Sequence, residues 1–142
     1  MNRPTEPRKG PRKRALVVED LDSLGHTICS LLQKLGYEVD RALDGVEALN
    51  MGRESHYDAV VCDLLMPRMG GRRLFETWLT ENPDLAGRVV FVTGDNISAE
   101  TRAFLARAGR PSIYKPFRLE QLADLIVGMD RGASILCKKE AS

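Results

Sequence analysis

The chain is poor in cysteine, has no long apolar run, and lacks a glycine-rich phosphate loop. Each absence removes a class of function. Cys29, Cys62 and Cys137 are the only cysteines in 142 residues, and no two of them form a C-x-x-C pair. That spacing argues against both a disulfide framework and a zinc site, and Cys62, inside an apolar run, reads as a small hydrophobe. No hydrophobic stretch approaches membrane-spanning length, and the N-terminus has no apolar signal region, so a soluble cytoplasmic protein is expected. After the first apolar run comes Glu19-Asp20-Leu21-Asp22. A cofactor-binding module would need glycines or hydroxyls there, and these acids repel phosphate.

Charge is unevenly distributed. Residues 1–14 carry six basic groups (Arg3, Arg8, Lys9, Arg12, Lys13, Arg14) against Glu6, which leaves 15 basic and 19 acidic groups, a net of −4, over residues 15–142. With Pro4, Pro7, Gly10 and Pro11 interleaved, residues 1–14 are expected to form a disordered basic arm. No aromatic residue accompanies the arm, so a solvated tail or linker is favoured over a nucleic-acid contact. The remaining length suits one domain, expected over residues 15–130, with a patternless tail over 131–142.

Within that domain, strand-like and helix-like runs alternate. Ala15 to Val18 is apolar and ends in acids; Leu21, Leu24, Ile28, Leu31, Leu32 and Leu35 then recur at helical spacing, with Asp22 or Ser23 as cap and Gly36 as stop. A short strand is expected over Tyr37 to Ala42. Asp44 caps a helix carrying Val46, Ala48, Leu49 and Met51. Ala59-Val60-Val61-Cys62 reads as a strand buried on both faces. It runs into Asp63, after which Pro67 and Gly70-Gly71 force a loop. A third helix, with Leu74, Phe75, Trp78 and Leu79 as core, stops near Asn82-Pro83, and the next strand spans Arg88 to Thr93. Ser98 caps a helix with Ala99, Ala103, Phe104, Leu105 and Ala108, ended by Gly109. The last pair is Ser112-Ile113-Tyr114 and a helix bearing Leu119, Leu122, Ala123, Leu125, Ile126 and Met129. Five strand–helix pairs with helical crossovers predict an α/β fold, a five-stranded parallel sheet covered on both faces.

Parallel strands share direction, so Glu19, Asp20, Asp63, Thr93 and Lys115 gather at one sheet edge, where open α/β sheets place their ligands. Individually each has an ordinary explanation: a helix-start acid pair, a strand-ending Asp, a strand Thr, a Lys before proline. Together they are informative. Three crowded carboxylates resist ionisation unless a cation compensates, and a hard divalent ion, Mg²⁺, suits oxygen donors. Two acids for a metal, a central acid, a hydroxyl and an ammonium suit a phosphoryl group placed on Asp63. His26 and His56 fall outside this group and read as surface residues.

The acid pair, Asp63-x-x-Met66-Pro67-x-Met69-x-Gly71, Thr93 and Lys115-Pro116-Phe117 resemble, in that order, the receiver domain of the two-component response-regulator family. The resemblance covers roughly Leu16 to Met129. It implies a flavodoxin-like, doubly wound sheet of order 2-1-3-4-5 with five helices. It also implies that Asp63 is the phosphoacceptor and that Asp20, Asp63 and the backbone carbonyl of Leu65 hold Mg²⁺, with Glu19 acting through water. Thr93 would be the switch hydroxyl, Lys115 the partner of the phosphorylated site, and Lys115-Pro116 a cis bond. Family members take the phosphoryl group from a phosphohistidine on a histidine kinase or histidine phosphotransfer protein, and hydrolyse it in the same site. A downstream protein effector is implied, and homodimerisation is left open.

Two positions depart from the family pattern. Ser112 stands where an aromatic residue usually swings inward on activation, with Tyr114 two residues away. Leu65 is apolar where some members carry an amide or an acid, and is expected to hinder in-line water and lengthen the phosphoryl lifetime. An alternative reading is a Mg²⁺-dependent aspartyl-phosphate phosphatase, but that would want a general acid close after Asp63, where Leu64 and Leu65 stand. A docking pseudo-receiver is a second alternative, disfavoured by the full set of charged site residues. No DNA-binding domain is expected after the last helix, leaving a stand-alone receiver or one from a hybrid sensor kinase.

Overall fold

A computed structural model of the chain describes residues 12–94 and 97–129. Its elements run β1 (Arg14–Val18), α1 (Asp22–Lys34), β2 (Glu38–Ala42), α2 (Gly45–Glu54), β3 (Ala59–Asp63), α3 (Gly71–Glu81), α4 (Pro83–Ala86), β4 (Val89–Gly94), α5 (Ala99–Ala108) and β5 (Ser112–Lys115). A last helix, α6, covers residues 119–129. The five strands form one sheet in the order β2-β1-β3-β4-β5, and every neighbouring pair is parallel. This is the expected fold, with one more helix than the five expected.

Strand alternation divides the core in two. Leu16, Val18, Val60, Cys62 and Phe91 point to one face and pack beneath Ala48, Leu74, Phe75, Trp78, Phe104 and Leu105 of α2, α3 and α5. Ala15, Val17, Val61, Val90 and Val92 point to the other, beneath Ile28 and Leu32 of α1 and Leu122 and Ile126 of α6. On the first face Phe75, Phe91 and Phe104 meet edge to face, with ring centres 5.4 to 5.9 Å apart. Gly52 lets α2 approach α3 and α4, because a β-carbon there would come within 3.0 Å of Leu85 and 3.2 Å of Trp78.

Several expectations need correction. Arg14, assigned to the basic arm, is the first residue of β1; residues 1–11 of the arm and 130–142 of the tail lie outside the described residues. Neither Asp22 nor Ser23 caps α1. The N-cap position is Leu21, without a side-chain bond, and Glu19 Oε2 instead accepts the Leu21 amide at 3.1 Å. The added helix is the single turn α4. Asn82-Pro83 ends α3 but also starts this turn, with Asn82 accepting the Leu85 amide and Pro83 in the first turn. Leu79, assigned to the core, is 52% exposed, because α3 turns only the Leu74, Phe75 and Trp78 stripe inward. The caps Asp44 and Ser98 are as expected, accepting the amides of Glu47 and Thr101, and Gly109 closes α5 with φ 65°.

Candidate functional site

The carboxyl ends of β1, β3, β4 and β5 build the site. Glu19 and Asp20 follow β1, Asp63 ends β3, Thr93 is the penultimate residue of β4, and Lys115 ends β5. One carboxylate oxygen from each of Glu19, Asp20 and Asp63 falls within 4.8 Å of the other two. Lys115 Nζ sits 3.2 Å from Asp63 Oδ2 and 3.9 Å from Glu19 Oε1. The sheet therefore brings together Glu19, Asp20, Asp63 and Lys115 and places Thr93 at the same end of the neighbouring strand β4.

Burial makes this arrangement costly. Glu19 is 1% exposed, Asp63 5% and Thr93 1%, while Asp20 stays exposed. Burial, then the charge of Asp63, push the Glu19 carboxyl up to about 7; the Leu21 amide and Lys115 pull the other way. Two buried oxygens, Glu19 Oε1 and Thr93 Oγ1, have no hydrogen-bond partner. Orphaned buried acceptors and hydroxyls are rare, and beside an excess of negative charge a water or an ion is what satisfies them. An oxygen-only donor set short of positive charge, with one acceptor unsatisfied, fits a hard divalent cation such as Mg²⁺.

The remaining contacts fix the loop after Asp63. The Leu65 amide donates to Asp63 Oδ1 at 3.3 Å, while the Leu65 side chain is 76% exposed. Leu65, Arg72, Thr93 and Phe104 line a groove of about 390 Å³ beside the acids. The loop is pinned to the start of α2. The Gly45 amide donates to the Met69 carbonyl at 2.9 Å, and Arg68, at φ 66°, donates to Asp44 at 2.7 Å. The Lys115-Pro116 bond is cis. Tyr114 faces Thr93 in the β4–β5 register but is an exposed side chain, and Ser112 is half-buried. His26 and His56 are exposed, and His56 pairs with Asp58 rather than with the acids. Burial pushes the Cys62 thiol up, in keeping with an inert core residue.

Sequence reasoning missed Arg41. From β2 its Nε and Nη2 donate to the Glu19 carbonyl at 3.0 and 2.8 Å. Its one visible trace was Gly25 inside a helix, an unfavourable choice unless something needs the space.

The chain matches the response regulator receiver domain family over residues 15–127 and belongs to that family. It is 37% identical over 116 residues to the sensor kinase CckA of Brucella abortus, covering 80% of this chain and 12% of that protein. It is 30% identical over 126 residues to the regulatory protein VanRB of Enterococcus faecalis, covering 89% of this chain and 56% of that one. Among solved structures, the receiver domain of a signal transduction histidine kinase from Syntrophus aciditrophicus is similar with a TM-score of 0.75. The two are 26% identical, over 84% of this chain and 91% of that one. The chain thus spans between about an eighth and just over half of these two relatives' lengths.

Proposed function

We propose that the chain accepts a phosphoryl group on Asp63 from a phosphohistidine donor, in a Mg²⁺-dependent reaction, and thereby switches protein contacts. The observation that carries this reading is a buried acid at the end of the central strand, paired with an ammonium and crowded by two further acids. An oxygen of Asp63 attacks phosphorus, the phosphorus–nitrogen bond of the donor breaks, and an acyl phosphate forms. Lys115 pairs with Asp63 before transfer and with the added phosphoryl charge afterwards. The Thr93 hydroxyl, without a partner, is available to donate to a phosphoryl oxygen. Asp20, Asp63 and the Leu65 carbonyl would hold Mg²⁺, with Glu19 acting through water. The ion would offset charge on the acids and on the transferred group.

A histidine kinase or histidine phosphotransfer protein is the proposed donor, a protein effector the proposed reader, and the cytoplasm the proposed location. Among the described residues no helix is long and apolar enough to cross a membrane. The test is incubation with a small acyl-phosphate donor and Mg²⁺, followed by intact mass. The expected result is a one-phosphoryl gain in the native chain and none in Asp63→Asn. Equal gain in both would overturn the assignment of Asp63.

A further inference from the structure

We infer that Arg41 is a positioning residue for the acid pair, and that Gly25 exists to give it room. This rests on the reading of Glu19, Asp20 and Asp63 as a metal site. Arg41 leaves β2, crosses the sheet edge, and places both Nε and Nη2 on the Glu19 carbonyl at 3.0 and 2.8 Å. Its Nη1 meets Asp22 Oδ1 at 3.0 Å, so one guanidinium grips the Glu19–Asp22 turn at both ends. The Arg41 side chain is only 15% exposed, while Asp22 is well exposed, so the fork onto the carbonyl is the sheltered part of this contact. The Glu19 amide is held as well, donating to the Ala42 carbonyl at 3.0 Å. β2 therefore fixes the backbone of Glu19 from both sides.

The fork has a second requirement. A β-carbon at position 25 would lie 2.5 Å from Arg41 Nε and 2.7 Å from Cζ, so any larger residue at that position must push the guanidinium aside from its place on the carbonyl. This accounts for a buried glycine inside a helix, where alanine is the better helix former. Lysine cannot replace arginine here, since a single ammonium does not reproduce a planar two-pronged donor.

The arrangement also separates positioning from charge. A cation beside an acidic metal site repels the incoming ion, so a purely electrostatic Arg41 would oppose Mg²⁺ binding. A positioning Arg41 favours it, as outer partners that orient metal ligands do.

The experiment is Mg²⁺ titration of the unphosphorylated full chain by calorimetry, with the backbone amide shifts of Glu19 to Asp22 followed in parallel. It compares native protein, Arg41→Lys, Arg41→Ala, Gly25→Ala and the Gly25→Ala/Arg41→Ala double variant. Arg41→Lys and Gly25→Ala should each weaken Mg²⁺ binding about tenfold. The double variant should bind no more weakly than Arg41→Ala alone, because both changes break the same contact. Unchanged affinity in Arg41→Lys and Gly25→Ala, additive losses in the double variant, or tighter binding in Arg41→Ala would overturn the inference. If Arg41→Ala does not fold, the lysine and Gly25 variants decide. Native protein that binds no Mg²⁺ would overturn the metal-site reading and this inference with it; native binding with indifferent variants would overturn this inference alone.

Discussion

The two ends of the sheet carry polar clusters of similar size, and they are completed to different degrees. Toward the amino end, Arg14 Nη2 meets Asp40 Oδ2 at 2.6 Å, and the Tyr57 hydroxyl donates to the same oxygen at 2.7 Å. Asp58 accepts the Arg14 amide at 2.9 Å and pairs with His56 at 3.0 Å. The Arg14 guanidinium also lies 5.4 Å from the Tyr57 ring centre, and of its side-chain nitrogens Nε has no hydrogen-bond partner. At the carboxyl end, three carboxylates crowd together with the ammonium of Lys115 paired to two of them, Glu19 and Asp63, and two buried oxygens have no hydrogen-bond partner. A cluster whose charges are matched within the fold holds the fold together. A cluster that remains short of positive charge has room for something the chain does not itself supply.

The contrast breaks most visibly at Lys115. Arg14 is one of several partners at its end, whereas Lys115 is the cation paired with Asp63 among the described residues. Lys115→Ala should lower the rate of phosphoryl gain from a small donor by roughly tenfold or more, read by intact mass against time; an undiminished rate would remove Lys115 from the site. Glu19 offers the next largest effect. Its raised carboxyl favours the protonated form in the folded chain. Without metal, its contribution to stability is full below its ordinary value near 4.5 and is lost as pH rises through about 7. Glu19→Gln should therefore stabilise the chain by about 1–2 kcal/mol at neutral pH in chelator while weakening Mg²⁺ binding. Urea midpoints at pH 4.5 and 7.5 check the first half, and a native-like pH slope in the variant would refute it.

At the amino end, Tyr57→Phe removes a hydroxyl donated from a buried ring. It should cost about 1 kcal/mol, seen in urea unfolding, and leave phosphoryl gain on Asp63 unchanged. A loss of both would mean that the two ends are coupled. The smallest effect is expected at the groove. Leu65→Asn puts an amide beside Asp63 that can orient water, and should speed loss of the phosphoryl group by about threefold. An unaltered lifetime would mean that the exposed leucine is not what excludes water.

The parallel sheet and the strand-end positions of the five site side chains were legible because apolar runs buried on both faces set the strands, and the residue after each run must lie at its carboxyl edge; the strand order came only from the resemblance to the receiver family. Asp44, Ser98 and Gly109 were legible because capping chemistry is local. Contacts made by long side chains across elements were not. Arg41 and Arg68 have no periodicity to betray them, and their partners lie 22 and 24 residues away. The start of α1 was misread for a related reason. Asp22 and Ser23 look like caps, but α1 already starts at Asp22 behind Leu21, whose amide is held by the Glu19 carboxylate. Leu79 shows the limit of periodicity, since helical spacing identifies a stripe and not its width.

Gly52 draws the helices of one sheet face close enough to enclose Trp78, the single indole in the chain. That ring packs beside Gly52 and Leu85 and is not among the residues lining the groove beside Leu65. Its fluorescence should therefore follow the packing of α2, α3 and α4 and stay nearly silent when an ion enters the acid cluster. A second chromophore near Leu65 would be needed to give ion entry its own optical signal.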